Sequence, residues 1–425
     1  MTHRGNGRMA DKEPTREERR NYNIVVLAMV SMSVTTSTIY MVLPIFFSIH
    51  GVSRSGNGVL IAIGTFAGII SSIIAGRYSD SHGRKPVLFI GVALYALVFF
   101  LFALFGRDFN TFLILRFIEG FAYYMTPVAI TTIAADIFPR RERGRAMALY
   151  TVSGGVGQMI GPLIAGLFTE VANFNSYFVF CGSFVAVSAA IILFFVNETL
   201  PEELKVKPRT RARRRVNIHG FYSSLKGLGA VVGIFLTAIL IYRTGNTMVN
   251  PFFSLYLREV LHMNMTQMSF FFSVRALCTL VFAPIAGRLS DRYGRKPIFL
   301  FGIATLTGTM MGYRQVRTHG HVLIIRALES TSNAILQPTS RAYIADLVRP
   351  ETRGFGMGIY MTVMDESSTM GSILGGVISD IYDFGAIFLI GAATAATCFG
   401  IVLIGVPEAG ALPHYEECRS PDTPE

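Results

Sequence analysis

Long apolar runs separated by short, basic polar stretches dominate the chain. A helix crosses a bilayer with about 20 mostly apolar residues. Runs of that kind lie at 24–48, 57–76, 86–105, 111–136, 144–168 and 174–196. A second set lies at 228–257, 266–287, 297–313, 321–345, 354–379 and 384–405. The pattern predicts an all-α integral membrane protein of twelve transmembrane helices, six plus six. The ninth run is the shortest, and YRQVRTHGH (313–321) blurs its outer end. The expected segments are a basic N-tail at 1–23, a six-helix half at 24–200, a solvated basic linker at 201–227, a second half at 228–406 and a C-tail at 407–425.

Composition agrees with that class. Of 425 residues, 51% are hydrophobic and 15% charged, too little charge to cover a soluble protein of this length. The net charge of +11 could signal nucleic acid, but the basic residues fall between the apolar runs, where they set topology. With both termini inside, 28 of the 38 Lys and Arg lie on the inner side. Five lie outside: Arg54, Arg107, Arg258, Arg314 and Arg317. The positive-inside bias therefore predicts cytoplasmic termini and a cytoplasmic linker in a multi-pass cell-membrane protein. The polar first 23 residues do not read as a cleavable signal. Cys181, Cys278 and Cys398 sit in apolar runs and, with Cys418, show no metal spacing.

The halves repeat each other. GRYSDSHGRKP (76–86) returns as GRLSDRYGRKP (287–297), RFIEG (116–120) as RALES (326–330), and ADIFPRRERG (135–144) as ADLVRPETRG (345–354). GQMIGPLIAG (157–166) is echoed by STMGSILGG (368–376). Charged phrases matching in register are not a by-product of greasy helices. They predict two pseudo-symmetric six-helix bundles, an architecture that secondary transporters use, with a site at the repeat interface.

With these motifs the chain resembles the major facilitator superfamily over residues 24–406, and within it the twelve-span drug:proton antiporter type. The most specific signal is the family phrase Gly-x-x-x-Asp-Arg-x-Gly-Arg-Lys, met as Gly76, Asp80, Gly83, Arg84, Lys85 and again as Gly287, Asp291, Arg292, Gly294, Arg295, Lys296. Ser81 departs from the pattern, where the family prefers Arg. The resemblance implies a cytoplasmic gate. In it Gly76 lets helices approach, Asp80 meets a neighbouring helix N-terminus, and Gly83 permits the turn. Two clusters are expected to form when that face closes and to break when it opens: Asp80, Arg84, Asp136, Arg143, and Asp291, Arg295, Asp346, Arg353. Gly157, Gly161, Pro162 and Gly166 resemble the superfamily's antiporter signature, a helix kink tied to export. No acid occurs in the first span, where drug antiporters often carry one.

Charges inside spans are the other candidates: Arg116, Glu119, Arg243, Arg275, Arg326, Glu329, Arg341, Asp365 and Glu366. Facing lipid, nine would cost on the order of 25 kcal/mol together, so most must pair or face a cavity. Arg341 is near an end and can snorkel. Arg116–Glu119 and Arg326–Glu329 are spaced to pair on one helix face; they either hold helices together or line a cavity. Asp365–Glu366, mid-span, is a proton or cation site, or a partner for a buried Arg243 or Arg275. Tyr40, Phe46, Phe47, Tyr123, Tyr124, Met125, Phe252, Phe253 and Met364 are cavity candidates that equally suit packing.

No phosphate-binding loop or His-Glu-x-x-His occurs, and no nucleophile or metal set clusters, so an enzyme is not expected. The predicted function is secondary active transport of a small molecule by alternating access, as proton-coupled efflux of amphipathic or drug-like compounds. The alternative is proton-coupled uptake or exchange of a metabolite, a sugar or organic anion. A receptor or channel fits the paired halves less well. No cofactor or metal is called for, only an ion gradient, with protons as the coupling ion. The partners are the substrate and the bilayer, not nucleic acid, and the unit is a functional monomer.

Overall fold

A computed structural model of the chain describes residues 13–200, 229–316, 318–348 and 352–408. The start of the N-tail, the linker at 201–227 and the C-tail from 409, with Arg317 and Cys418, lie outside the described residues.

Twelve apolar runs become twelve helical segments. They are α1 (Arg16–Thr36) with α2 (Ile39–Ile49), α3 (Arg54–His82), α4 (Arg84–Phe105), α5 (Phe109–Ile137), α6 (Arg140–Val171) and α7 (Phe174–Phe195). Then follow α8 (Ala230–Val249) with α9 (Phe253–Glu259), α10 (Met265–Tyr293), α11 (Arg295–Tyr313), α12 (His319–Leu347), α13 (Arg353–Ile381) and α14 (Phe384–Gly405). Among the described residues, nine segments are long and apolar enough to cross a membrane. The other three, α11, α12 and α13, are the more polar.

Helices begin where the sequence supplies caps. Thr15 and Glu18 form a reciprocal capping box, so α1 starts at Arg16, inside the stretch expected to be tail. Asp108 and Thr318 cap α5 and α12, and Asn173 and Asp383 cap α7 and α14. Each pair of caps is 210 positions apart. The first and seventh spans are broken. At the first break the hydroxyls of Thr35, Ser37 and Thr38 donate to carbonyls three or four residues back, a local alternative to continuing the helix. At the seventh, Pro251 sits in a 3-10 turn, Asn250–Phe252, because proline lacks the N–H that helix continuation needs.

The chain forms two compact units. In unit 1, α1 packs on α6 and α7, and α4 on α5 and α7. In unit 2, α8 packs on α13 and α14, and α11 on α12 and α14. These pairings correspond one for one, the three-dimensional form of the repeat. The units exchange short segments: Ser53–Ala62, the start of α3, belongs to unit 2, and Asn264–Ser273, the start of α10, to unit 1. Each visiting helix start is capped by its host. Asp380 accepts from the Arg54 and Ser55 amides at 3.1 and 2.7 Å. Glu170 accepts from the Thr266 amide at 2.9 Å. These two carboxylates are also 210 apart.

Most of the expected cavity aromatics are core. Phe46 packs edge-on to Phe112 and Phe178, and Phe47, Phe252, Phe253, Met125 and Met364 are buried. Tyr40 is exposed. Cys181, Cys278 and Cys398 are buried and free.

Candidate functional site

The doubled phrase folds the same way twice. Its first part is helical, the last turns of α3 and of α10, and the turn is confined to Gly83 and Gly294, with φ of +112° and +98°. That backbone region is open to glycine and costly to other residues. Each glycine swings the next arginine back over the preceding helix. Arg84 donates through Nε to Asp136 and through Nη1 to Asp80, both at 2.9 Å, and to Ser79 Oγ at 3.0 Å. Arg295 repeats this with Asp346 at 2.9 Å, Asp291 at 2.5 Å and Ser290 Oγ at 3.2 Å. One arginine thus ties three consecutive helices together in each half: α3, α4 and α5 in the first, α10, α11 and α12 in the second.

Two expected members are elsewhere. Arg143 donates to the carbonyls of Phe138 and Ala135 at 3.0 and 2.8 Å, and Arg353 to that of Ala345 at 3.0 Å. They satisfy the carbonyls left open at the ends of α5 and α12, where a cation also suits the dipole. The N-terminus of α4 is met by Glu198, which accepts from the Arg84 and Lys85 amides at 2.8 and 3.1 Å. Its counterpart Glu408 accepts from the Arg295 and Lys296 amides at 2.8 and 3.0 Å. Sequence reasoning misses both glutamates, although they stand 210 positions apart, just past the last apolar run of each half. A Cβ on Gly76 or Gly287 would meet nothing, so neither marks a close approach. Every partner in a cluster lies in one unit. The ion pairs named here are therefore staples internal to a unit. Arg292, the residue replaced by Ser81 in the first copy, stacks on Tyr293 and is not part of the staple.

The glycines of the antiporter-like signature are sites of close packing. Gly157 and Gly161 of α6 lie against Ser33 and Val34 of α1 and Ser37 of the break that follows it, and Gly166 against Ser269. Pro162 is accommodated within a continuous α6.

The in-span charges fall into two kinds. Arg116–Glu119 and Arg326–Glu329 each form an ion pair, with all four side chains buried. Gly64 lies against the Arg116 guanidinium, and Gly120 against the Gly64 backbone. Glu329 anchors a chain of polar groups. It accepts from Tyr313 OH and from Asn333 Nδ2, both at 3.0 Å. Asn246 Nδ2 donates to Asn333 Oδ1 at 2.9 Å, and Asn250 Nδ2 to the Asn246 carbonyl at 3.0 Å. Arg275 Nη1 reaches Asn250 Oδ1 at 3.4 Å. Sequence reasoning misses the asparagines and Tyr313 as well; uncharged groups give no signal there.

The second kind is less enclosed. On α13, Asp365 is half-buried and Glu366 exposed, because adjacent helical residues point about 100° apart. Asp365 is in electrostatic reach of Arg243 on α8. Thr247, one turn beyond Arg243, bonds the Ser367 carbonyl at 2.7 Å, which clamps α8 to α13 beside them. Arg243 Nε is buried with no hydrogen-bond partner among the described residues. Arg341 is exposed near the end of α12.

The sequence profile of the Major Facilitator Superfamily matches residues 25–244 and 234–418. The chain is 25% identical over 390 residues to "Multidrug resistance protein MdtG" of Escherichia coli O81 (strain ED1a), covering 89% of this chain and 93% of that protein. It is 24% identical over 383 residues to the protein of the same name from Salmonella heidelberg (strain SL476), covering 88% and 92%. Among solved structures, the nucleoside transporter NupG superposes with a TM-score of 0.73 at 14% identity, covering 92% of this chain and 98% of that one. A bacterial homolog to human lysosomal transporter Spinster gives 0.70 at 11% identity, covering 92% and 96%. The repeated staples, the twelve segments in two matched units and these likenesses agree: the chain belongs to the Major Facilitator Superfamily and is a multi-pass membrane transport protein, not an enzyme.

Proposed function

We propose that this transporter exports amphipathic, drug-like compounds in exchange for protons by alternating access. In this reading, halves at 24–200 and 228–406 act as a functional monomer in the cell membrane, with termini and linker cytoplasmic. The ion gradient is the only energy source. Asp365 carries the proposal: a half-buried carboxylate with Arg243 across from it and Glu366 beside it. An ionised Asp365 is held by Arg243; a protonated one releases that guanidinium, so proton and substrate can compete for one place. Exposed Glu366 suits a cationic substrate group. The multidrug-resistance names of the relatives support efflux. The test is flux in proteoliposomes under an imposed pH gradient, with Asp365→Asn, Glu366→Gln and the double variant. Gradient-driven flux is expected to fall about tenfold or more with Asp365→Asn, the loss typical of removing a proton-transfer group. Coupling of wild-type size in the double variant overturns the proposal.

A second reading, proton-coupled uptake or exchange of an organic anion, is favoured by the Nε of Arg243, buried without a hydrogen-bond partner among the described residues, which suits an anionic group. Dye cations and organic anions screened with and without the gradient separate the two.

A further inference from the structure

At one end of unit 1 the α1 and α6 helices enclose a groove of about 480 Å³, lined by Arg19, Tyr22, Phe138, Arg145, Leu149 and Val152 among others. It shares Arg19 and Asn23 with a depression along α1 that adds Arg16, Arg20 and Leu27. The groove is firmly built. Tyr22 OH donates to the Ala146 carbonyl at 2.8 Å, and Arg19 pairs with Glu142 at 2.9 Å. It lies at the end of the unit that carries the Arg84 staple, since Asn21 Nδ2 bonds the carbonyl of Asn197, next to Glu198.

Two observations fix what the groove faces and what it lacks. The exposed residues of α6 in phase with Leu149 are Ile160, Leu167 and Val171, each a near-whole number of turns along. All are apolar, whereas Thr151 and Gln158 are exposed on the opposite face. In a membrane protein the first face belongs to lipid. The lack is of negative charge. Glu142 is taken by Arg19, and Glu18 serves the α1 cap. Glu17 lies toward Asn197. Exposed Arg16, Arg20 and Arg145 have no ion-pair partner among the described residues.

We propose that this groove binds an anionic glycerophospholipid, its phosphate between Arg16, Arg20 and Arg145 and its acyl chains against Leu27, Leu149 and Val152. Arg145 in the groove, with Arg16 and Arg20 in the depression that adjoins it through Arg19 and Asn23, matches a molecule that is charged at one end and apolar beyond it. A free phosphate would use the arginines and leave the apolar wall bare. On the topology proposed above, the lipid belongs to the cytoplasmic leaflet, but the binding itself needs only that α1 and α6 span the membrane.

The chain contains no tryptophan, so Leu149→Trp places a single emitter in the groove. The full-length reporter is reconstituted in phosphatidylcholine vesicles containing a minor fraction of phosphatidylglycerol or phosphatidylcholine with brominated acyl chains. Each arginine near an anionic headgroup favours it roughly fivefold. After screening, brominated phosphatidylglycerol is expected to reach half-quenching at about tenfold lower fraction than brominated phosphatidylcholine. Arg16→Gln, Arg20→Gln and Arg145→Gln together are expected to bring the two lipids within about twofold. Should the triple variant not elute as a folded species, Arg145→Gln alone is expected to weaken the preference by up to roughly fivefold. Equal quenching by both lipids in the reporter overturns the proposal. So does a preference that survives the arginine changes, or one abolished by glycerol phosphate in the buffer, which would make the site one for a soluble phosphate. None of these readings depends on what the protein transports.

Discussion

Replacing Arg84 with Met keeps the length of the side chain and removes its charge and donors. The Arg84 side chain is 10% exposed, with Asp80 36% and Asp136 23% exposed. Removal leaves two carboxylates facing each other with little water between them. Stripping one partner from a fully buried pair costs about 3–5 kcal/mol; the exposure of Asp80 brings the figure here to about 3 kcal/mol. In the second staple Arg295 is 20% exposed, Asp346 22% and Asp291 67%. Asp291 stays hydrated without its arginine, so Arg295→Met should cost about 2 kcal/mol. For a half of this size, about 1 kcal/mol moves Tm by roughly 2–4 °C. Arg84→Met should then melt roughly 6–12 °C below wild type, and Arg295→Met roughly 2–4 °C above Arg84→Met. The assay is loss of the monodisperse peak of a fluorescent fusion after heating, with the variants run side by side. Asp136→Asn added to Arg84→Met should recover part of the loss, because the stranded carboxylate is the main cost. Equal melting of the two arginine variants, or an additive double variant, would refute the reasoning.

Glu198→Ala and Glu408→Ala should each cost about 1–2 kcal/mol by uncapping α4 or α11, and hydrogen exchange at the Arg84 and Lys85 or Arg295 and Lys296 amides should quicken locally. Gly120→Ala drives a Cβ into the Gly64 backbone and should cost about 1–3 kcal/mol or abolish folding, whereas Gly76→Ala, with open space around it, should melt like wild type. Hydrogen bonds from the Thr111 hydroxyl and amide hold the Asp108 carboxyl below the usual carboxylate range. Its cap is therefore in place at neutral pH and is lost as pH falls through that lowered value. Asp108→Asn should remove this acid-side component of a melting-versus-pH curve, and an unchanged curve would exclude it.

What could be read from sequence depended on whether a residue's role is written in its own neighbourhood. Span positions, the repeat and the turn at Gly83 are local properties of hydropathy and backbone, and they emerge where expected. The partner of an arginine is not local. Arg143 is close in sequence to Asp136 and Glu142, yet the open carbonyls at the end of α5 compete for it and win, and a carbonyl has no signature. Glu198 was hidden for the opposite reason: it lies past the last apolar run, where a lone acid reads as solvated surface. The asparagine chain from Asn250 to Glu329 was invisible because amides inside an apolar run look like tolerated impurities until Asn333 is seen to meet Asn246. Phe46 and Phe47 were ambiguous in principle, since an aromatic residue serves a cavity wall or a core equally well.

The position of Glu198 also bears on how the protein is made. The residue that completes the first staple, by capping α4, comes after the last apolar run of its own half and before the linker begins. A ribosome therefore delivers every member of that staple before it has begun α8. The first six helices can be locked as a set while the second six are still unwritten, and the same order recurs when Glu408 follows α14. Vectorial synthesis then meets two successive assembly problems of one half each rather than a single problem of twelve helices.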